Sequence, residues 1–215
     1  MSLHTWWLYL CAVFLLSATP GPNMLHVLSR SVTFGLRRSL PAMAGCLTGL
    51  VAALAASAAG LSAVLTASPM LFDLIRYAGV AYLLYLGIRA WLGGDASVDA
   101  QAGAAQAGTG RIAGNLSAFG LFRGGFFVGI SNPKLLLFAT AFLPQFVDKS
   151  AAQAPQFVLL VATFGATDLF WYAVYGLGGQ KLAAYLTRPK LRRLFDRVTG
   201  GLFIGFGAAL LGSRG

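Results

Sequence analysis

Long apolar stretches separated by short charged segments run through the whole chain. Charge-free stretches cover residues 1–29, 39–72 and 150–167, and several shorter ones follow one another in the second half. A bilayer core of about 30 Å needs roughly 20 helical residues, so neighbouring short stretches must be joined across a single ionisable residue, once at Lys134 and once at Asp168. The pattern then predicts six membrane-spanning helices, near residues 3–28, 41–66, 71–91, 120–146, 156–179 and 195–213.

A segment of different composition divides these six helices into two sets of three. Residues 94–117 are rich in Ala, Gly, Ser and Gln, which is typical of a flexible linker. We therefore predict a first three-helix unit over residues 1–93 and a second over residues 118–215.

The composition agrees with a membrane protein. Hydrophobic residues make up 57% of the chain and charged residues only 10%, whereas a soluble domain carries about 25% charged residues. Lys and Arg number 16 against six acidic residues, all of them Asp, which gives a net charge of +10. The positive charges lie between the apolar stretches and form no dense basic run of the kind that binds phosphates, so we expect no nucleic-acid partner.

The distribution of basic residues predicts the orientation in the bilayer. Short cytoplasmic loops carry an excess of Lys and Arg. Twelve such residues fall on one side of the six predicted spans and three on the other, with Lys134 assigned to the membrane. We therefore expect a cytoplasmic linker and both termini outside. The first span is expected to be retained, because no positive charge precedes it as in a signal peptide.

The two halves carry similar motifs in the same order. Residues 14–23, ending in Pro-Gly-Pro-Asn, resemble residues 126–134, ending in Asn-Pro-Lys, and residues 76–85 resemble residues 197–206. Because each half has an odd number of spans, a repeat would lie in opposite membrane orientations. The predicted fold is therefore an all-α integral membrane protein with six transmembrane helices arranged as two inverted three-helix repeats.

Proline interrupts the first helix of each half. The Pro-Gly-Pro segment at residues 20–22 removes two backbone donors and should break helix 1, and the Asn-Pro pair at residues 132–133 should break or kink helix 4. Such prolines can be simple kinks between packed helices. However, inverted-repeat transporters bind their substrate where corresponding helices are broken, and an Asn beside each break favours that interpretation.

Two ionisable residues fall inside the predicted spans. Burying Lys134 or Asp168 there costs about 2.5–3.5 kcal/mol on an insertion scale, so such residues are functional candidates. A zwitterionic amino acid would suit them, with its carboxylate near Lys134, the Asn amides and the half-helix N-termini, and its ammonium near Asp168. Asp168 could instead, or in turn, carry a proton, and the two charges could simply pair with each other. The candidate substrate-binding residues are Pro20, Gly21, Pro22, Asn23, Asn132, Pro133, Lys134 and Asp168.

His26 is a second candidate for proton coupling beside Asp168. It lies three residues after Asn23 and four before Arg30, so the three share one helix face. Histidine titrates near neutral pH, which suits a proton relay. The alternative role is a hydrogen bond in the helix interior.

The sequence contains no sign of an enzyme or a cofactor site. The two cysteines have no CxxC spacing and no Cys/His cluster accompanies them, so we expect no metal. No phosphate-binding GxxxxGK[ST] loop and no Ser/His/Asp arrangement is present, so we expect neither ATP hydrolysis nor a cofactor.

Motifs spread over both halves, taken together, are similar to those of a known family. The first half contributes Phe14-x5-Pro20-Gly21-Pro22-Asn23, Gly35, Arg37-Arg38 and Gly45-x3-Gly49. The second half contributes Asn132-Pro133-Lys134, Phe138, Leu143-Pro144-Gln145-Phe146, Asp168 and Trp171. This combination resembles the lysine exporter (LysE/RhtB) family of amino-acid exporters. The resemblance implies a six-helix, homodimeric exporter of small amino acids or their derivatives, placed in the bacterial inner membrane and driven by the proton gradient.

The resulting hypothesis is a secondary active transporter that exports an amino acid or derivative from the cytoplasm by proton antiport with alternating access. One charge moved through about 100 mV supplies roughly 2.3 kcal/mol, and a tenfold solute gradient costs about 1.4 kcal/mol, so one proton per cycle supports roughly a fiftyfold gradient. The alternatives are an exporter of another small solute or a metal ion, and a non-transporting membrane scaffold.

Overall fold

The computed structural model of the chain describes two continuous parts, residues 1–68 and 117–186. It also describes isolated residues at positions 70, 74, 77, 80, 81, 84, 85, 88, 91, 92, 193, 194, 197, 198, 200, 201, 204 and 205. The predicted third and sixth spans, near 71–91 and 195–213, and the predicted linker lie outside the continuously described residues.

The described parts are helical. They form α1 (Leu3–Ala18), α2 (Pro22–Phe34), α3 (Leu36–Ala67), α4 (Ala118–Ile130), α5 (Pro133–Ala141), a 3-10 helix (Leu143–Phe146) and α6 (Gln153–Leu186). No strand occurs in these ranges. The prediction of an all-α chain is confirmed for this part of the protein.

Two helices and two bent helix pairs are apolar and long enough to cross a bilayer. α3 meets this condition over Leu36–Gly60 and α6 over Gln153–Gly179. α1 and α2 meet it together with a bend of 49°, and Ala118–Ile130 meets it with Lys134–Phe146 at a bend of 48°. The described residues therefore account for two to four crossings, which agrees with a membrane protein.

The first predicted span is longer than the sequence pattern indicated. α2 continues to Phe34 and ends because Gly35 adopts φ of +77°, a backbone conformation that favours glycine. The next helix starts immediately afterwards, at Leu36 instead of near residue 41. Pro41 therefore lies inside α3, close enough to its start that only one early backbone hydrogen bond is lost.

The fourth predicted span is shorter as an α-helix. α5 ends at Ala141, and a 3-10 helix with Pro144 in its first turn follows. Proline lacks the N–H group that would continue the α-helical ladder, which explains the change. The fifth span agrees with the prediction near residues 156–179, since α6 begins at Gln153 and its apolar span ends at Gly179, where φ is +44° and the helix kinks before continuing to Leu186.

α1 and α6 run in the same direction along one another. The Trp6 indole N–H donates to Thr163 Oγ1 at 3.0 Å near the start of α1, and the Trp171 indole N–H donates to the Phe14 carbonyl at 3.0 Å further along. The residue numbers of both partners rise from the first of these contacts to the second, which shows the common direction. Tyr9 adds a bond from its hydroxyl to the Leu160 carbonyl, so the contact is fixed at several levels.

α3 and α4 also run in the same direction, and glycines bring their backbones into contact. A Cβ at Gly125 would overlap the Ala42 carbonyl oxygen, and one at Gly129 would lie 2.5 Å from the Cys46 carbonyl oxygen. Gly45 makes the reciprocal contact with the backbone of α4. Small residues at such positions allow the close helix packing that stabilises membrane bundles.

Aromatic side chains fill the main core between α1, α5, the 3-10 helix and α6. Tyr9 packs edge-to-face on Phe146, with ring centroids 5.1 Å apart, and Phe138 contacts both Phe142 and Phe164. A smaller cluster joins α2, α3 and α6. Many large apolar side chains remain on the outside, as expected where lipid replaces water; they include Trp7, Phe119, Val158 and Leu177.

Replacing Gly125 with Ala should weaken the α3–α4 contact. The new methyl group meets backbone atoms of Ala42 and Cys46 that cannot rotate away, and overpacking of this kind costs about 1–3 kcal/mol. Thermal unfolding of the purified protein in detergent would measure the loss.

Gly60→Ala is the matched control. No atom of the described residues lies within 4 Å of a Cβ at Gly60, and Ala is favoured over Gly within a helix by up to about 1 kcal/mol. This variant should be as stable as the parent or slightly more stable. Equal unfolding temperatures for Gly125→Ala and the parent would show that the two backbones can separate without loss.

Candidate functional site

The first helix break lies between α1 and α2. α1 ends at Ala18 and α2 begins at Pro22, with Thr19 in an extended conformation between them. Because neither Pro20 nor Pro22 has a backbone N–H, carbonyls at the end of α1 lose their usual helical donors. In a membrane such carbonyls need partners from elsewhere in the protein.

Side chains from α5 and α6 provide those partners. The Lys134 ammonium donates to the Leu16 carbonyl at 2.5 Å, to the Thr19 carbonyl at 3.4 Å, and to the Thr19 hydroxyl. The Tyr175 hydroxyl donates to the Ala18 carbonyl at 2.8 Å. A cation at the C-terminal end of a helix is also favoured by the helix dipole. The end of α1 is thus held by groups that lie more than a hundred residues away in sequence.

The second break lies between α4 and α5. α4 ends at Ile130, and Asn132 is the N-cap of α5, with its side-chain oxygen accepting from the backbone N–H groups of Lys134 and Leu135. α2 has no equivalent, because its N-cap is Gly21 and no side chain caps it. The two half-helix N-termini therefore differ: that of α5 is already occupied by a side chain, and that of α2 is not.

A chain of hydrogen bonds connects both breaks to Asp168. The Asn132 amide N–H donates to Asn23 Oδ1 at 3.1 Å, and the Asn23 amide N–H donates to the Tyr172 hydroxyl oxygen at 3.0 Å. The Tyr172 hydroxyl then donates to Asp168 Oδ2 at 3.1 Å. All four side chains are buried. Side chains from both halves of the sequence thus form one polar network.

A small cavity lies at the centre of this arrangement. Its walls include Gly21, Asn23, Asn132, Lys134 and Asp168. It measures about 30 Å³, which is room for one or two water molecules. At this size the cavity is too small for an amino acid.

The structure brings together most of the residues predicted from sequence. Beyond the five in the cavity wall, Pro20 and Pro22 form the backbone of the first break, and Pro133 is the first residue of α5. His26 is not part of the cavity wall. It is buried on α2, its Nε2 has no hydrogen-bond partner among the described residues, and it packs near Gly124 of α4.

Lys134 and Asp168 share the cavity without forming a direct ion pair in the described structure. The lysine donates to oxygen atoms at the end of α1, and the carboxylate accepts from Tyr172. The two charges still interact electrostatically across the cavity. Each is thus stabilised by a polar partner while remaining near the other.

Three contributors to the site, Tyr172, Tyr175 and Thr19, were missed in the sequence. Tyr172 lies four residues after Asp168, a spacing that places both on one helix face, so this signal was available. Thr19 directly precedes the Pro-Gly-Pro segment, inside the span predicted near residues 3–28, and has no distinctive signal of its own. Among the described residues no cluster of three or more His, Cys, Asp or Glu side chains could hold a metal ion.

Comparisons with known proteins agree on one family. The family model described as LysE type translocator matches residues 14–214. The chain is 30% identical to the homoserine/homoserine lactone efflux protein of Salmonella typhimurium, over 100% of this chain and 99% of the relative. It is 31% identical to the leucine efflux protein of Enterobacter sp., over 95% and 93%, and 29% identical to an uncharacterized membrane protein of Vibrio cholerae, over 98% of both. No solved structure matches the chain significantly.

Replacing Asn132 with Ala should destabilise the second break. The change removes the cap of α5 and leaves Asn23 Oδ1 without its donor. Loss of a cap costs about 1 kcal/mol, and an unsatisfied buried polar group adds about 1–3 kcal/mol. Unfolding in detergent, followed by circular dichroism, would measure the change.

Ser131→Ala is the control for this variant. Ser131 is the exposed neighbour at the end of α4, and its contribution to the cap there is through backbone N–H. Its removal should leave stability within about 0.5 kcal/mol of the parent. An equally small effect for Asn132→Ala would contradict the capping role.

Proposed function

Because the chain belongs to the LysE type translocator family, we propose that it is a secondary active transporter that exports an amino acid or an amino-acid derivative from the cytoplasm. Relatives named for the efflux of leucine, homoserine and homoserine lactone support this substrate class. The observation that carries the proposal is the small polar cavity at two helix breaks, with Lys134 and Asp168 both in its wall. A site for solute movement needs no catalytic group, and we expect no enzymatic reaction.

The substrate carboxylate is proposed to bind between Lys134 and the N-terminus of α2. The Lys134 ammonium lies beside Gly21, at 3.8 Å from the position of a Cβ there. The free backbone donors and the dipole of α2 favour an anion at this point. The N-terminus of α5 is a poorer place, because Asn132 already caps it.

The substrate ammonium is proposed to face Asp168. A carboxylate buried beside a cavity is a natural partner for a cation, and the Leu16 and Thr19 carbonyls line up nearby at the end of α1. When no substrate is bound, Lys134 occupies those carbonyls. An incoming carboxylate would draw the lysine away from them and free them for the substrate.

The small size of the cavity supports alternating access. At about 30 Å³ the cavity cannot hold an amino acid, so the helices around it must separate for binding and for release. The breaks at α1–α2 and α4–α5, bent by 49° and 48°, are the natural hinges. Their similar bends also support the inverted-repeat arrangement of residues 1–93 and 118–215.

The parallel helix pairs support the proposed topology. α3 and α4 run in the same direction, so the chain between them must return to the side on which α3 began, as a third span would do. α1 and α6 are also parallel, as first and fifth spans must be. We propose six spans in the bacterial inner membrane, with both termini outside, a cytoplasmic linker over residues 94–117, and a homodimer as the family resemblance implies.

Proton antiport is assigned to Asp168 in this proposal. Its carboxylate lies in the cavity wall and can exchange a proton for the substrate ammonium. His26, buried outside the cavity wall, remains a second candidate because it has an unpartnered ring nitrogen.

Asp168→Asn should abolish efflux driven by a proton gradient. Asn keeps the shape and an acceptor for Tyr172 but cannot carry the proton. Purified protein in liposomes, loaded in turn with labelled leucine, homoserine or homoserine lactone, would be tested for efflux with and without an imposed proton gradient. The gradient should accelerate efflux from the parent and leave the variant at the rate of protein-free liposomes.

Asp148→Asn is the matched control. Asp148 lies in an exposed loop, where hydrogen bonds from the Ser150 hydroxyl and backbone N–H hold the pKa of its carboxyl below its usual range. It is charged at neutral pH but distant from the cavity, so its replacement should leave efflux unchanged. Proton-driven efflux by Asp168→Asn would contradict the coupling role, and no flux of any solute by the parent would favour a membrane scaffold.

Lys134→Met should weaken the binding of substrates that carry a carboxylate. The apparent affinity for leucine should fall at least about tenfold, the change expected for one charge-assisted hydrogen bond. The apparent affinity for homoserine lactone, which has no free carboxylate, should fall less. Ligand-induced shifts of the unfolding temperature in detergent would report both affinities.

Lys149→Met, in the exposed loop after the 3-10 helix, is the control for charge loss. It should bind both compounds as the parent does. An equal loss of affinity for leucine and the lactone in Lys134→Met would argue against carboxylate recognition by this lysine.

A further inference from the structure

Tyr172 differs from the other buried tyrosines in its hydrogen bonds. The hydroxyl groups of Tyr9 and Tyr175 donate to backbone carbonyls, of Leu160 and Ala18. The Tyr172 hydroxyl instead joins two side chains of the candidate site, accepting from Asn23 and donating to Asp168. The Tyr172 hydroxyl is therefore hydrogen-bonded both to a group that can bind a proton and to a group at a helix break.

Every bond in the network has a defined donor. With Asp168 charged, its Oδ2 can only accept, so the Tyr172 hydrogen must point to it. The tyrosine oxygen is then left to accept from the Asn23 amide N–H, which turns Asn23 Oδ1 toward the amide N–H of Asn132. The charge on Asp168 thus selects the arrangement that bridges the two helix breaks.

A proton on Asp168 Oδ2 reverses this order. The carboxyl group becomes a donor to the Tyr172 oxygen, and the tyrosine hydrogen turns toward Asn23. Asn23 can accept it only by rotating its amide, which places its NH₂ group against the NH₂ group of Asn132. Two donors cannot bond, so the bridge between the breaks is lost.

We propose that Tyr172 is a positioning residue that couples the protonation of Asp168 to the opening of the cavity between the two helix breaks. The inference rests on the proposed transport function, since it assigns the coupling step of the same site. The proton comes from solvent and is bound by the carboxylate, and no covalent bond other than O–H forms or breaks.

Other titratable groups face Asp168 from the surrounding helices. Lys134 of α5 lies in the same cavity wall, and Tyr9 of α1 and Cys46 of α3 interact electrostatically with the carboxylate. α2 presents the uncharged Asn23 there. Of these groups, only Asn23 is hydrogen-bonded to Tyr172 in the described structure. Removal of the Tyr172 hydroxyl therefore breaks the Asn23–Tyr172–Asp168 relay and leaves the other groups around Asp168 in place.

Tyr172→Phe tests the proposal without any substrate. A thiol introduced by Met24→Cys, at a buried apolar position in the cavity wall, would be placed in a background in which Cys11 is replaced by Ser and Cys46 by Ala. Labelling of the folded protein in detergent by N-ethylmaleimide reports opening. Rates would be measured at mildly acidic and mildly alkaline pH and divided by the rate of the unfolded protein at the same pH.

With Tyr172 present, acid should raise the normalised labelling rate by about tenfold, the equilibrium change expected for one hydrogen bond to a charged group. Tyr172→Phe should remove this pH dependence. Tyr175→Phe, which loses a hydroxyl one turn away on the same helix but leaves the relay intact, should retain it. Asn23→Leu, which breaks the next bond of the chain, should behave as Tyr172→Phe and replaces it if that variant does not fold.

Three results would overturn the proposal. These are pH-independent labelling of the parent, a retained pH dependence in Tyr172→Phe or its replacement Asn23→Leu, and an equal loss in Tyr175→Phe. Because no amino acid is present, the labelling result stands whether or not the protein exports amino acids. The labelling experiment therefore reports failure of the relay, and the liposome efflux experiment reports failure of the transport proposal.

Discussion

The backbone carbonyls released at the end of α1 are the constraint on which the candidate site depends. The Pro-Gly-Pro segment removes the donors that would satisfy them, and a bilayer offers no water in exchange. Lys134 and Tyr175 provide the missing donors from α5 and α6. These bonds stabilise the break where α5 and α6 meet α1, and they place a lysine beside the uncapped start of α2.

The same arrangement explains how two opposite charges remain separate inside a membrane protein. A direct pair between Lys134 and Asp168 would neutralise both groups and leave little for a ligand to bind. Instead, carbonyl groups hold the lysine and a tyrosine holds the carboxylate. Hydrogen bonds to polar neighbours reduce the cost of burial while keeping both charges available. This balance suits the proposed binding and release of a zwitterion.

Much of the fold and part of the site could be predicted from the chain. The helices near residues 41–66 and 156–179 follow from apolar length, although the start of the first did not: Gly35 acts through a backbone conformation that a hydropathy pattern does not contain. Gly21, Asn23, Asn132, Lys134 and Asp168 were all selected because prolines and intramembrane charges are conspicuous. His26 was selected because it shares a helix face with Asn23 and titrates near neutral pH, and its place outside the cavity wall depends on the rotation of α2 against α4.

The sequence by itself determined the helical class, the positions of the breaks and the two buried charges, because proline chemistry and the cost of charge in hydrocarbon act locally. Only the tertiary structure decided which groups meet. The Asn23–Asn132 bridge and the Tyr172–Asn23 bond join residues more than a hundred positions apart, and their pairing follows from the parallel contacts of α1 with α6 and α3 with α4. Those contacts depend on side-chain shape across helix surfaces, which no single stretch of sequence specifies.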